Sequence, residues 1–112
     1  MIKADGVLPE IIVNDIVKIV ENFSHSNFAD NIKKIILFGS FAKKNYQPDS
    51  DIDIAVVVRI KPEKKFLVDY YLATDNTQRD IDLLLCTEKQ LLSGKYVYSE
   101  ILRKGIILYE NI

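Results

Sequence analysis

The sequence has little of the residues on which several classes of catalytic site depend. Its 112 residues include one cysteine, Cys86, and one histidine, His25. A single cysteine cannot form an internal disulfide, and Cys86 lies inside an apolar run, so we interpret it as a buried core thiol. His25 stands among serine and asparagine in a predicted loop and is interpreted as a solvated residue. The sequence therefore argues against a Ser–His or Cys–His catalytic pair.

Long apolar runs and an excess of either charge are also lacking. No stretch approaches the roughly 18 apolar residues of a membrane span, and no signal-peptide pattern opens the chain. The formal net charge of −1 gives no electrostatic basis for general nucleic-acid binding. Apolar residues make up 48% and charged residues 28% of the chain, an ordinary balance. We expect a cytoplasmic protein whose residues 1–112 form a single domain.

Apolar periodicity and turn residues predict a small α/β (α+β) domain, with helices packed on a mixed sheet of about four strands. The predicted strands are 35–38, 54–58, 79–85 and 106–109. The predicted helices are 9–22, 40–44, 63–73, 88–92 and 95–104. Residues 1–7 are expected to be a loose lead-in, and 28–33 either a last helical turn or a loop. Thr87 and Gln90 predict a capping box, and Gly105 a helix end.

Most of the chemical information lies in one stretch, residues 35–58. A buried strand ends at Gly39-Ser40, where a glycine allows a sharp turn and a close approach of the backbone to a ligand. Ten residues later, Asp51 and Asp53 open a second apolar run. Two residues apart in a strand, their side chains are expected on the same face.

Two carboxylates on one face repel each other and are costly to desolvate unless a positive group lies between them. Oxygen ligands without cysteine or histidine suit Mg²⁺ or Mn²⁺, and Mg²⁺ commonly binds one or two carboxylates together with substrate phosphates. The backbone N–H groups and the hydroxyl of Gly39-Ser40 would hold phosphate oxygens. The pattern thus predicts a metal–triphosphate site at Asp51 and Asp53.

The spacing Gly39-Ser40, ten residues, Asp51-x-Asp53 resembles the signature of the DNA-polymerase-β-type nucleotidyltransferase superfamily. The chain is similar to its minimal branch, the MNT proteins often encoded beside HEPN-domain proteins. The IDLLL run at 81–85 and the closing GIILYE at 105–110 complete the resemblance, which covers nearly everything after about residue 32. It implies the polymerase-β-type nucleotidyltransferase fold.

The resemblance also implies roles for individual residues. Asp51 and Asp53 would hold two Mg²⁺ ions, with Mn²⁺ as the other candidate, and Gly39 and Ser40 would hold the β- and γ-phosphates. The family's third carboxylate, which acts as general base or as ligand to the second metal, corresponds to Asp82. Asp80 alternates in phase with Asp82, so a share in this role stays open for it.

Two positions depart from the family pattern. Lys43 stands where many members have arginine; it keeps the charge for a phosphate contact but not the bidentate geometry, and a solvated charge is the alternative. Phe41 stands where members commonly have another arginine, which puts one phosphate contact in doubt.

The resemblance implies an Mg²⁺-dependent nucleotidyltransferase that moves AMP from ATP to a hydroxyl, in particular a tyrosine of a HEPN-type toxin, and so acts as antitoxin. Because the domain is small, a partner or a second copy of the chain must supply the acceptor surface. The alternative is a non-catalytic antitoxin that binds and occludes its partner. Retention of all three carboxylates favours the enzyme, whereas Phe41 favours the binding module. A third interpretation is an α/β domain whose aspartates are solvated strand ends.

Overall fold

A computed structural model describes residues 8–111 and contains a four-stranded sheet with five α-helices. The strands are β1 (Ile32–Phe38), β2 (Ile52–Val58), β3 (Ile81–Thr87) and β4 (Ile106–Glu110). The helices are α1 (Val13–Ser24), α2 (Gly39–Lys43), α3 (Leu67–Leu72), α4 (Glu88–Leu91) and α5 (Tyr96–Lys104). Short 3₁₀ turns precede α1, β1 and α3, at Glu10–Ile12, Ala29–Asn31 and Lys64–Phe66. The lead-in predicted for residues 1–7 lies outside the described residues.

The sheet is mixed, as predicted, with strand order β3-β2-β1-β4. β1 pairs antiparallel with β2 and with β4, whereas β2 and β3 run parallel. A parallel pair cannot be joined by a hairpin, so the chain between β2 and β3 must return to the starting end of the sheet. That crossover contains α3. The arrangement brings the first residues of β2 and β3 together at one end of the sheet.

Both faces of the sheet are covered by apolar clusters, because successive side chains of a strand point to opposite faces. The larger cluster joins α1 to one face through fully buried residues such as Ile16, Phe23, Leu37 and Ile54. A smaller cluster on the other face contains Ile36, Ala55, Val57, Cys86, Leu91 and Ile101. The interpretation of Cys86 as a buried core thiol is confirmed. No helix within residues 8–111 is long and apolar enough to cross a bilayer.

Local expectations were met with small shifts in position. β1 begins three residues earlier than predicted, because Ile32 is fully buried and pairs with Val58. The ambiguous residues 28–33 form a 3₁₀ turn and the start of that strand. The capping box is confirmed, with the Thr87 hydroxyl accepting a hydrogen bond from the Gln90 N–H. α5 ends at Gly105, whose N–H donates to the Ile101 carbonyl at 2.9 Å.

The residue that ends α2 has an unusual backbone conformation. Lys44 lies in the left-handed region, with φ of 63°. A β-carbon is unfavourable there, whereas glycine adopts this conformation readily at a cost in chain entropy. We therefore expect Lys44→Gly to raise the free energy of unfolding by about 0.5–1 kcal/mol, measured by urea denaturation. Lys44→Ala removes the same charge but keeps the β-carbon, so an equal gain in that control would contradict the conformational explanation.

Candidate active site

Two of the three predicted metal-site carboxylates are neighbours across the parallel pair of strands. In the register of β2 with β3, Asp53 is the partner of Asp82. In-register residues of neighbouring strands point to the same face of a sheet, so these two side chains lie side by side. Asp80 is exposed and precedes β3, where its carbonyl accepts the Ile52 N–H at 2.9 Å. The register therefore places Asp82, in preference to Asp80, beside Asp53.

The turn after β1 packs directly against the Asp53 carboxylate. Phe38, the last residue of β1, pairs with Asp53, and Gly39 follows with φ of 71°. A β-carbon at position 39 would lie only 1.9 Å from Asp53 Oδ2. The glycine is thus required twice, for its dihedral angle and for the close approach of its backbone to the carboxylate.

Burial and neighbouring negative charges raise the pKa of Asp53 from 3.8 to about 6. Partial removal from water is the largest cause. The adjacent Asp82 adds to it through its charge and as hydrogen-bond acceptor for the protonated form, and the charge of Asp51 contributes further. The Lys43 ammonium acts in the opposite direction and lowers the pKa. The positive charge that the protein places near Asp53 therefore does not offset the cost of ionising this carboxyl group.

Lys43 lies between this carboxylate and the last helix. Its Nζ is 3.8 Å from Glu100 Oε1 on α5, and its charge is felt by Asp53. The other oxygen of Glu100 is buried without a hydrogen bond and lies 3.7 Å from the Arg103 guanidinium. The Glu100 carboxylate thus holds Lys43 near the proposed phosphate site. A polyanionic ligand would compete with that carboxylate for the Lys43 ammonium.

Ser40 and Phe41, in the turn after β1, have different surroundings. A serine at a helix start is often the N-cap, but here the cap residue is Phe38 and Ser40 lies inside α2. Within residues 8–111 the Ser40 hydroxyl makes no hydrogen bond, so it is available to a ligand. Phe41 is fully buried and stacks on Tyr46 with ring centroids 4.5 Å apart. Its side chain is therefore part of the core and not of a phosphate-binding surface.

The aspartates also differ in detail from the prediction. Asp51 precedes β2, which begins at Ile52, and is exposed. Asp82 belongs to the apolar run of residues 81–85, yet it is exposed near the start of β3, which is an edge strand of the sheet. Exposure lowers the cost of its charge and leaves it accessible to a substrate.

The donor set fits a hard divalent cation, although the described residues contain no preassembled group of three ligands. The nearest donors are carboxylate oxygens, the ligand type that Mg²⁺ prefers, and Mg²⁺ takes one or two of them together with substrate phosphates. The raised pKa of Asp53 reflects a deficit of positive charge that such a cation would remove. Asp51, Asp53 and Asp82 are accordingly the residues that would hold it.

Two side-chain contacts between distant parts of the chain were not anticipated. Glu100 is close to Lys43 only because α5 packs beside α2, and it is one of several polar residues on an amphipathic helix. Arg79 precedes β3, yet its guanidinium lies over the ring of Phe41, 5.3 Å from the centroid. Both contacts join distant parts of the chain, so no local sequence signal could have indicated them.

Comparison with known families agrees with this geometry. A family model described as "Polymerase beta, Nucleotidyltransferase" matches residues 14–111. The chain belongs to this nucleotidyltransferase family. The match extends from α1 through β4, so it includes the turn, the three aspartates and the whole sheet.

Two curated relatives come from Methanocaldococcus jannaschii, and both bear the name "Putative protein adenylyltransferase". MJ0604 is 53% identical over 36 residues, which cover 32% of this chain and 36% of that protein. MJ0141 is 32% identical over 54 residues, which cover 46% of this chain and 54% of that protein. The matches thus span about a third and about half of these relatives.

Solved structures share the fold at low sequence identity. A crystal structure of a toxin–antitoxin complex with AMP-PNP is similar at a TM-score of 0.57 and 24% identity, over 88% of this chain and 73% of that chain. A structure of a tri-AMPylated Shewanella oneidensis HEPN toxin in complex with an MNT antitoxin is similar at 0.50 and 20% identity, over 88% and 69% of the two chains. These similarities establish the four-stranded nucleotidyltransferase fold.

A single methyl group at position 39 should disrupt the site. Gly39→Ala places a β-carbon on the Asp53 carboxylate and strains the backbone, so we expect loss of nucleotide binding and a lower melting temperature. The matched control is Gly94→Ala, where φ is 84° but no atom lies within 4 Å of the added carbon. Equal effects of the two substitutions on both measurements would show that the dihedral angle alone matters, and not the contact with Asp53.

The raised pKa of Asp53 predicts a pH dependence of stability. Because its folded-state pKa lies above its ordinary value, the stability it contributes is present below about pH 4 and is lost as pH rises through about 6. Asp53→Asn should therefore be more stable than the wild type at pH 7.5 by roughly 1–2 kcal/mol, and nearly equal at pH 4, in urea titrations with EDTA. Asp75→Asn, at an exposed position away from the site, serves as control. A constant difference between Asp53→Asn and wild type at all pH values would refute this assignment.

Proposed function

We propose that this chain transfers AMP from ATP to a hydroxyl, specifically the side chain of a tyrosine on a HEPN-type toxin partner, and so acts as an antitoxin. The observation that supports this best is the pairing of Asp53 with Asp82 against the Gly39 turn, with Lys43 nearby. Carboxylates for a divalent cation, a close-approach turn for phosphates and an exposed third carboxylate are the parts that nucleotidyl transfer requires.

In the proposed reaction, the tyrosine oxygen attacks the α-phosphate of ATP, an oxygen–phosphorus bond forms, and the bond to pyrophosphate breaks. Asp82, exposed on the edge strand, accepts the proton of the attacking hydroxyl. Asp51 and Asp53 would hold two Mg²⁺ ions, which when bound offset the negative charge on the entering and leaving oxygens. Gly39, Ser40 and Lys43 hold the departing phosphates through backbone N–H groups, a hydroxyl and an ammonium.

A protein acceptor is favoured by the small size of the domain. Residues 8–111 form one sheet and its helices, and no separate helical substrate domain lies among them. Similar folds occur in structures named as a toxin–antitoxin with AMP-PNP and as an AMPylated HEPN toxin with an MNT antitoxin. We therefore propose ATP and a HEPN-type toxin as the two substrates, acting in the cytoplasm.

The occluding binding module is the second candidate, and its main support is now weaker. Phe41 favoured it because a basic residue was expected at that position. Phe41 is fully buried in the core against Tyr46, so packing accounts for an apolar residue at this position, while the basic contact of other members is still missing.

The test is incubation with α-labelled ATP and Mg²⁺, with and without the product of the neighbouring gene, which we propose to be the toxin. With wild type we expect label on the toxin. With the Asp51→Asn/Asp53→Asn double variant we expect transfer to be slower by a factor of about 100 or more. Asp75→Asn, which removes an exposed carboxylate that is not among the proposed site residues, should transfer at the wild-type rate.

Binding to the toxin is measured in parallel, because it separates the two candidates. If the toxin carries no label but binds tightly to both wild type and the double variant, the proposed enzymatic function is overturned and occlusion is supported.

A further inference from the structure

We infer that Glu100 is a positioning residue that competes with the triphosphate for the Lys43 ammonium, and so keeps the departing pyrophosphate weakly bound. This inference rests on the proposed function, whose site it extends. A carboxylate beside a phosphate-binding lysine repels the anion that the lysine attracts. The position and the contacts of Glu100 account for its presence there.

α5 covers the face of the sheet on which Asp53 and Asp82 lie. Ile101, next to Glu100 in α5, is buried in the apolar cluster that also contains Ala55. Ala55 comes two residues after Asp53 in β2, and residues two apart in a strand point to the same face. Glu100 is therefore carried on the face of the paired aspartates, not on the face that α1 covers.

The last turn of α5 lies at the end of the sheet where the Gly39 turn begins. The strand that follows α5 opens at Ile106, which pairs with Leu37 near the end of β1. Lys43 comes about one helical turn after Gly39 in α2, and its charge lowers the pKa of Asp53. Lys43 is thus close both to a site carboxylate and to the end of α5.

The contact between Glu100 and Lys43 is an ion pair without a hydrogen bond. Lys43 Nζ lies 3.8 Å from Glu100 Oε1, whereas a charge-assisted hydrogen bond measures about 2.7–2.9 Å. The two side chains are 23% and 39% exposed, so water screens part of the attraction. Phosphate oxygens offer the same ammonium both opposite charge and hydrogen bonds. We therefore expect Lys43 to exchange partners at low cost when a triphosphate binds.

Arg103 allows that exchange without leaving Glu100 unpaired. Glu100 Oε2 is buried without a hydrogen bond, and the Arg103 guanidinium, one turn further along α5, lies 3.7 Å from it. A partly buried carboxylate with no cation beside it would be costly, and Arg103 stays in place while Lys43 contacts a phosphate. When pyrophosphate leaves, Lys43 returns to Glu100. The carboxylate thus favours the state in which Lys43 holds no phosphate.

The experiment measures binding by titration calorimetry on the full chain. The ligands, each with Mg²⁺, are AMP-PNP, pyrophosphate, and AMP, which lacks the β- and γ-phosphates. Glu100→Gln keeps the shape of the side chain and removes its charge. We expect it to raise the affinity for AMP-PNP and pyrophosphate about 3- to 10-fold and to leave that for AMP unchanged. The control is Glu63→Gln, at an exposed position that lines a cavity with Asn31, just before β1; it should bind as wild type does.

A double-mutant cycle tests whether the effect passes through Lys43. Lys43→Met should bind AMP-PNP about 10-fold less tightly than wild type, because a charge-assisted contact is lost. Adding Glu100→Gln to Lys43→Met should then change the affinity by less than about 2-fold. An equal rise in both backgrounds would mean that Glu100 merely repels the ligand, and would refute the inference.

The remaining outcomes separate this inference from the proposed function. Unchanged or lower AMP-PNP affinity in Glu100→Gln would overturn the inference and leave the proposed function standing, as would an equal rise for AMP. If wild type binds neither AMP-PNP nor pyrophosphate, the proposed function fails and the inference with it.

Thermal melting checks folding, and Arg103→Gln decides if Glu100→Gln does not fold. That variant leaves Glu100 with Lys43 as its cation, so AMP-PNP affinity should fall about 2- to 3-fold. Unchanged or higher affinity in Arg103→Gln would contradict the competition.

Discussion

The site depends on one contact, between the Asp53 carboxylate and the backbone of Gly39. It joins the end of β1 to the start of β2, and it is possible only because no β-carbon stands between them. The same carboxylate is paired with Asp82 through the parallel register of β2 with β3. Three strands therefore meet at a single ionisable group. Its charge is poorly compensated by the protein, which makes it suitable for a cation and costly to the fold without one.

The fold could be predicted largely because its signals are local. The Gly39 turn, the apolar run after Asp53, and the Thr87 capping box each depend on a few consecutive residues, and each is present in the structure. The resemblance assigned the third carboxylate to Asp82 and left a share open for Asp80, and the strand register pairs Asp82 with Asp53. Local patterns were less informative at the cap of α2. There the extended residue is Phe38, because the turn begins one residue before the glycine.

The contacts of Glu100 and Arg79, which the sequence did not indicate, are determined by packing between distant segments. Glu100 approaches Lys43 because α5 packs beside α2, and Arg79 covers Phe41 because the crossover returns to the starting end of β2. Whether a position such as 41 faces the site or the core depends on which side of α2 meets the sheet. A substitution that looked like the loss of a phosphate ligand is instead a core residue.

The parallel pairing of β2 with β3 also has a consequence for the order of folding. β1 and β2 are neighbours in the chain and can pair early, whereas Asp53 and Asp82 are about 30 positions apart and meet only after the crossover has formed. Repulsion between the two carboxylates is thereby deferred until the crossover closes. We expect a growing chain to gain the β1–β2 hairpin before it must bring the charges together, and the pairing of β1 with β4 to complete the sheet later still.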